Sequence, residues 1–229
     1  MNRQKIEVIK EYYWNGILEY EKTFLNGIPD GIWTFYYDNG QKKEVKTYKN
    51  GEPDGIWILY DYNGQIEEEK TYKNDTSEIC IKRYFNNEQL KSETTGFLIT
   101  DEDGLQKIYG NHKDYYQNGQ IMNEKTYGKM GMEGTWKSYY DDGQLRDVQS
   151  FKDGKREGIF KGYYDSGQLH FVIHYITDIL GIHTTYHKNG QILEEGTLYD
   201  GLKDKTWKRY FDNGKLESVN TFIKGKIID

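Results

Sequence analysis

Residues 36–57 read Tyr36-Tyr-Asp-Asn-Gly-Gln-Lys-Lys-Glu-Val-Lys-Thr-Tyr-Lys-Asn-Gly-Glu-Pro-Asp-Gly-Ile-Trp57. Two Asn-Gly turn signals bracket a run that ends in the strand-formers Thr47 and Tyr48. The same arrangement recurs along the chain. The glycine of the first turn reappears as Gly16, Gly40, Gly64, Gly119, Gly143, Gly167, Gly190 and Gly214, and Glu88 fills the slot in one degenerate copy. The steps are 24 residues except for one of 31 and one of 23. Such a fixed period marks a repeat architecture.

The positions around the turn recur as well. Four residues before it stands Tyr12, Tyr36, Tyr60, Tyr84, Tyr115, Tyr139, Tyr163, Tyr186 or Tyr210. Two residues after it comes a Leu or Ile in every unit but the one with Lys42. Eight after it lies an aromatic residue or Leu198, Gly96 being the exception, and a Trp follows the second turn as Trp33, Trp57, Trp136 and Trp207. Each unit therefore reads strand, tight turn, strand, longer turn.

Face consistency types the tight turn. If the longer loop sets Thr47 opposite Trp57 and Tyr48 opposite Ile56, a two-residue Asn-Gly turn would put paired residues on opposite faces of the pleat. A three-residue Asp38-Asn39-Gly40 turn, type I with a left-handed glycine, sets Tyr36 opposite Lys42 and restores agreement. On this register the Tyr/Leu and Tyr/Ile rows share one face. The Trp/Thr row, the second aromatic (Tyr13, Tyr37, Phe85, Tyr116, Tyr140, Tyr164, Phe211) and the Glu/Val positions share the other. The expected fold is all-β: an elongated, single-layer antiparallel sheet of about nine 24-residue hairpin units spanning residues 1–229, irregular at 75–112.

Composition agrees. Hydrophobic residues are 35% and charged residues 30%, while 22 Tyr, 9 Phe and 5 Trp supply almost half of the hydrophobic fraction. Aromatic richness with only two prolines separates this polarity from that of a disordered chain. The 25 glycines are spaced as turn residues. No signal-peptide core and no 18-residue apolar run occurs, and the single cysteine, Cys80, cannot form an internal disulfide. A soluble, monomeric, cytoplasmic protein is expected. The net charge of −6, with Lys dispersed among Glu and Asp, argues against nucleic acid and anionic membrane as partners.

The units Tyr36-Tyr-Asp-Asn-Gly-Gln41, Thr47-Tyr-Lys-Asn-Gly51 and Asp54-Gly-Ile-Trp57 resemble the MORN-variant repeat, over almost the whole chain. Bacterial proteins built only of such repeats are placed in the YwqK family, described as the antitoxin component of a toxin–antitoxin pair. The resemblance implies a binding protein with a protein partner, possibly a toxin, and brings no catalytic residue. Its eukaryotic relatives imply the alternative of a lipid- or envelope-associated scaffold. The open sheet edges suggest another, a self-assembling ribbon.

No catalytic constellation, phosphate-binding glycine loop or cofactor motif is present, so neither an enzyme nor a cofactor is expected. The candidate binding surface comprises Trp33, Trp57, Trp136, Trp207, Tyr37, Tyr140, Tyr164 and Phe171, since Tyr and Trp anchor interfaces. It also includes His170, His174, His183 and His187, four histidines in one unit. The register sets His174 opposite His183 and His170 opposite His187. The two pairs lie about 13 Å apart along the strand, too far for one metal site. These histidines are expected to replace the Trp, Thr and aromatic residues of other units. Thr100-Asp-Glu-Asp-Gly104 is acidic but lacks the ligands of a calcium loop, and reads as a hairpin turn in a seven-residue insertion.

Overall fold

The computed structural model describes residues 4–73, 77–100 and 103–228. The acidic 100–104 stretch, expected to be a hairpin turn, and the start of the irregular 75–112 stretch therefore lie partly outside the described residues. Among those described there is strand and turn but no helix, and the strands pair antiparallel. Two compact units divide the chain, residues 1–110 and 111–229. The first holds β1 (Ile6–Tyr12), β2 (Leu18–Leu25), β3 (Ile28–Pro29), β4 (Gly31–Tyr36), β5 (Lys42–Lys49), β6 (Glu52–Pro53), β7 (Gly55–Tyr60), β8 (Ile66–Tyr72), β9 (Glu78–Tyr84) and β10 (Leu90–Thr100). The boundary falls within β11 (Gln106–Tyr115), inside the irregular stretch. The second holds β12 (Ile121–Gly128), β13 (Gly131–Tyr139), β14 (Leu145–Lys152), β15 (Lys155–Tyr163), β16 (Leu169–Tyr175), β17 (Leu180–Tyr186), β18 (Ile192–Tyr199), β19 (Leu202–Tyr210), β20 (Leu216–Ile223) and β21 (Lys226–Ile227). Within each unit the strands form an open single layer.

The tight turn has the three-residue form. Tyr37 N donates to Gln41 O at 2.8 Å and Gly40 N to Tyr37 O at 2.9 Å. Gly40 sits at φ +86, and Tyr36 pairs with Lys42. Glu88 adopts the same left-handed conformation at φ +64, inside the same pair of turn bonds.

The longer connection departs from the expected register. Lys49 pairs with Glu52 around Asn50 and Gly51, at φ +52 and +89, which is a two-residue type I′ turn. Tyr48 then pairs with Pro53, and the ladder resumes at Val45 opposite Ile58. Lys46 and Thr47 thus face four residues, Asp54, Gly55, Ile56 and Trp57. This is a wide bulge turned by Gly55 at φ +63. The expected pairs Thr47–Trp57 and Tyr48–Ile56 do not form, because the extra residues shift the register.

One side chain closes the bulge. Trp57 Nε1 donates to Thr47 O at 2.8 Å, and Asp54 N donates to the same oxygen at 2.9 Å. The bond recurs from Trp33 to Thr23 O (2.8 Å), Trp136 to Thr126 O (3.1 Å) and Trp207 to Thr197 O (2.9 Å). Beside the interrupted ladder the indole is a second donor to an oxygen that already accepts a backbone N–H.

The bulge also reassigns the faces. Gly31 pairs with Tyr48, Ile32 with Thr47 and Trp33 with Lys46, so Trp shares a face with the aromatic residue of the following strand, and Thr shares the opposite face with Ile. The expected Trp/Thr face is corrected accordingly. The rings make a continuous stack, Phe24–Trp33–Tyr48–Trp57–Tyr72, with centroids 4.7 to 5.2 Å apart. This half-buried stack covers one face of a sheet that lacks a second layer.

The irregular stretch drops these devices. β8 and β9 pair without a bulge, and buried Ile79 and Ile81 end the stack. At Gly96 a Cβ would lie 2.1 Å from Tyr109 O, and at Gly110 the same distance from Thr95 O. The two glycines let the backbones meet, which accounts for the missing aromatic at Gly96. The left-handed backbone of Glu88 costs about 1 kcal/mol relative to glycine. Glu88→Gly should raise stability by about that amount, read as a higher urea midpoint with an unchanged m-value.

Candidate functional site

The side chains singled out by the repeat are first of all engaged with the next hairpin. Tyr37 donates its hydroxyl to Tyr60 O (2.8 Å), Tyr140 to Tyr163 O (2.7 Å) and Tyr164 to Tyr186 O (2.8 Å). The turn asparagines form a parallel ladder. Asn39 Nδ2 donates to Tyr62 O at 2.9 Å while its Oδ1 accepts from Gln41 N at 2.9 Å. Tyr-Tyr-x-Asn-Gly-Gln thus both shapes its own turn and holds the turn of the following unit.

The first tyrosine of the motif is anchored on the opposite face. Tyr84, Tyr139 and Tyr210 donate to Glu69, Glu124 and Glu195 at 2.7 to 2.8 Å. Burial and the Glu124 carboxylate push the Tyr139 hydroxyl up to about 12. These phenols remain protonated donors at neutral pH. Cys80 is half-buried in β9, its Sγ 3.9 Å from Glu93 Oε1, and burial raises its thiol pKa.

Of the tryptophans, Trp33, Trp57 and Trp136 are half-buried, and Lys46 Nζ lies 4.9 Å from the Trp57 ring. Trp207 is only 2% exposed. Gly196 makes room for it, since a Cβ there would lie 2.3 Å from the indole.

The histidines separate. His174 pairs with Ile182, and it is Ile173 that pairs with His183, so the expected His174–His183 pair does not form. His170 stacks on Tyr164 at 4.2 Å. His187 occupies the second-aromatic slot, its Nε2 3.0 Å from Tyr210 O, the contact a tyrosine hydroxyl makes elsewhere. His183 occupies the Trp slot, between Phe171 (5.9 Å) and Trp207 (5.7 Å). β16 and β17 pair without a bulge, and His183 Nδ1 is buried with no hydrogen-bond partner. Among the described residues no group of three or more His, Cys, Asp or Glu is placed to hold a metal ion.

An exposed aliphatic row recurs with the unit, and in the sequence it is legible only as a strand row. Ile32 and Ile56 stand on the face opposite the Trp stack, 58% and 51% exposed, beside Thr47 and Thr71. In the second unit Ile159 and Ile182 hold the same slot, 41% and 50% exposed.

A tandem array of bulged hairpins stitched by indole and phenol bonds is a repeat scaffold. The family model described as "MORN repeat variant" matches residues 29–50, 53–74, 108–129, 132–153, 156–176, 179–200 and 203–224. The chain belongs to this family, which is generally non-catalytic. No curated protein matches it. Among solved structures it is similar to TcdB2-TccC3-TEV, at 11% identity and a TM-score of 0.23 over 94% of this chain and 15% of that one. It is also similar to a porin-like protein from Bacteroides uniformis ATCC 8492, at 7% identity and a TM-score of 0.23 over 93% of both chains. The chain thus spans a small fraction of the first of these.

Burial of His183, reinforced by Lys203 and His170 and opposed by Glu194, lowers its pKa below the ordinary 6.5. The folded chain resists the proton that the unfolded chain accepts. Stability should therefore be complete above pH 6.5 and fall as the pH drops below it. His183→Phe should flatten that part of a melting-temperature profile.

Proposed function

We propose that this chain is a non-catalytic protein-binding module that presents the Ile/Thr face of its sheet to a partner. The observation that carries the reading is the exposure of Ile32 and Ile56 on a rigid strand framework. The Tyr and Trp side chains that would otherwise be the obvious anchors already bond to neighbouring hairpins. Branched aliphatic residues on fixed strands lose little side-chain entropy on docking. Residues 1–110 hold 14 Lys and Arg against 20 Asp and Glu, whereas residues 111–229 hold 17 of each. The net negative charge thus belongs to the first unit and favours a basic partner there.

Within this reading the chain is the antitoxin of a bacterial toxin–antitoxin pair, acting in the cytoplasm by covering a toxin. The resemblance to the YwqK family supports that role. Expression of the neighbouring gene product alone tests it. Growth arrest relieved by co-expression of this chain is the expected result, and a harmless neighbour contradicts the antitoxin role. The double variant Ile32→Asp/Ile56→Asp should weaken the complex at least about tenfold with its unfolding midpoint retained. Unchanged affinity would exclude this face.

A further inference from the structure

The slot that holds Trp33, Trp57, Trp136 and Trp207 in other units holds Phe160 in β15. The bulge itself is retained. Val148 pairs with Lys161 and Ser150 with Glu157, a register shift like that of the Trp units, and Gly158 sits at φ +68. The backbone is therefore built for an indole that is not there.

Three consequences meet at one place. First, the ring stack is interrupted. Tyr48 has a Trp on each side, but Phe151 stacks only on Trp136, at 4.8 Å, while Phe160 turns to Phe171, at 4.9 Å. Second, a pocket of about 210 Å³ opens between Trp136, Phe151 and Phe160. Third, Ser150 O, the counterpart of the Thr carbonyls that accept indole bonds, accepts instead from Gln149 Nε2 at 3.1 Å. Gln149 is 6% exposed and lines the pocket.

We infer that this pocket is a binding site for an indole ring supplied from outside the chain. The volume lies below the roughly 300 Å³ at which pockets for drug-sized ligands begin, so it suits one flat ring system. Its aromatic walls, shared with Lys125, Lys137, Asp147 and Arg156, favour offset or edge contacts with such a ring, and the cations can lie over its face. Ser150 O lies behind the Gln149 side chain that lines the pocket; the amide swings out to solvent, and the ring N–H takes its place on that oxygen. The site thus accepts in trans what the other units supply in cis. The inference is independent of the Ile/Thr docking face, which lies on the other side of the sheet.

Amide and side-chain NMR titrations of the whole protein test it with three probes: indole, 1-methylindole and N-acetyl-tryptophanamide. Indole should bind with a Kd on the order of 1 mM, with shifts centred on Trp136, Gln149, Ser150 and Phe160. The 1-methyl compound, lacking the donor, should bind at least about tenfold more weakly. Phe160→Trp fills the slot from within. It should keep the fold, raise the melting temperature and abolish binding. No localised shift with indole, equal binding of 1-methylindole, or undiminished binding by folded Phe160→Trp would each overturn the site. Binding of the tryptophanamide as tight as that of indole assigns the ring to a partner's side chain. Preference for indole assigns it to a free small molecule.

Discussion

The ring stack depends on a hydrogen bond from an indole nitrogen to a threonine carbonyl. A sheet of tandem hairpins must turn twice per unit, and the second turn here is followed by a wide bulge, at whose edge a threonine carbonyl that already accepts a backbone N–H, from Asp30 or Asp54 in the first unit, has a second lone pair free. In four units the Trp Nε1 bonds that oxygen, at 2.8 to 3.1 Å. The bond fixes the indole over the sheet, where it stacks on the aromatic residues of both flanking strands. One side chain adds a bond to a ladder oxygen, spans the bulge and supplies the ring stack. A single-layer sheet, which cannot bury a second face, needs such economy.

The edge formed by the tight turns works on the same principle. Tyr37 and Asn39 reach the carbonyls of Tyr60 and Tyr62 in the next unit, and equivalent bonds repeat where those residues recur. Regularity in this sequence therefore reflects hydrogen bonding between units as much as hairpin geometry. Function has to be sought in what the regular bonds leave over: the exposed Ile positions and the units whose Trp slot is filled otherwise.

Much of this was legible in the residues. The period, the three-residue turn at Asp38-Asn39-Gly40 and the pairing of Tyr36 with Lys42 follow from spacing and from the parity of a pleated strand. The second turn is harder to read because two separate features stand there in one run of turn residues. Asn50-Gly51 makes a tight I′ turn, and Asp54-Gly55 opens a separate bulge, so the faces on the Trp side slip by one residue. A glycine nine residues before the turn glycine, as at Gly31, Gly55, Gly134 and Gly158, was the available signal. The histidine register failed for a related reason: β16 and β17 lack a bulge, so His183 pairs with Ile173. Burial of Trp207 could not be read from local pattern, because it requires Gly196 on the adjacent strand. The candidate surface residues were recognisable as special, but the hydrogen bonds that occupy them run between units 23 residues apart.

Hydrogen exchange at the indole nitrogens tests the central claim most directly, because the chain carries its own control. Trp14, at a hairpin tip, is 94% exposed, and its indole N–H should exchange at the rate of a free indole. Those of Trp33, Trp57, Trp136 and Trp207 should be protected together with the strand amides around them. Four slow indole signals and one fast one are the predicted result. Five signals exchanging at one fast rate would contradict the indole bonds and the ring stack they hold.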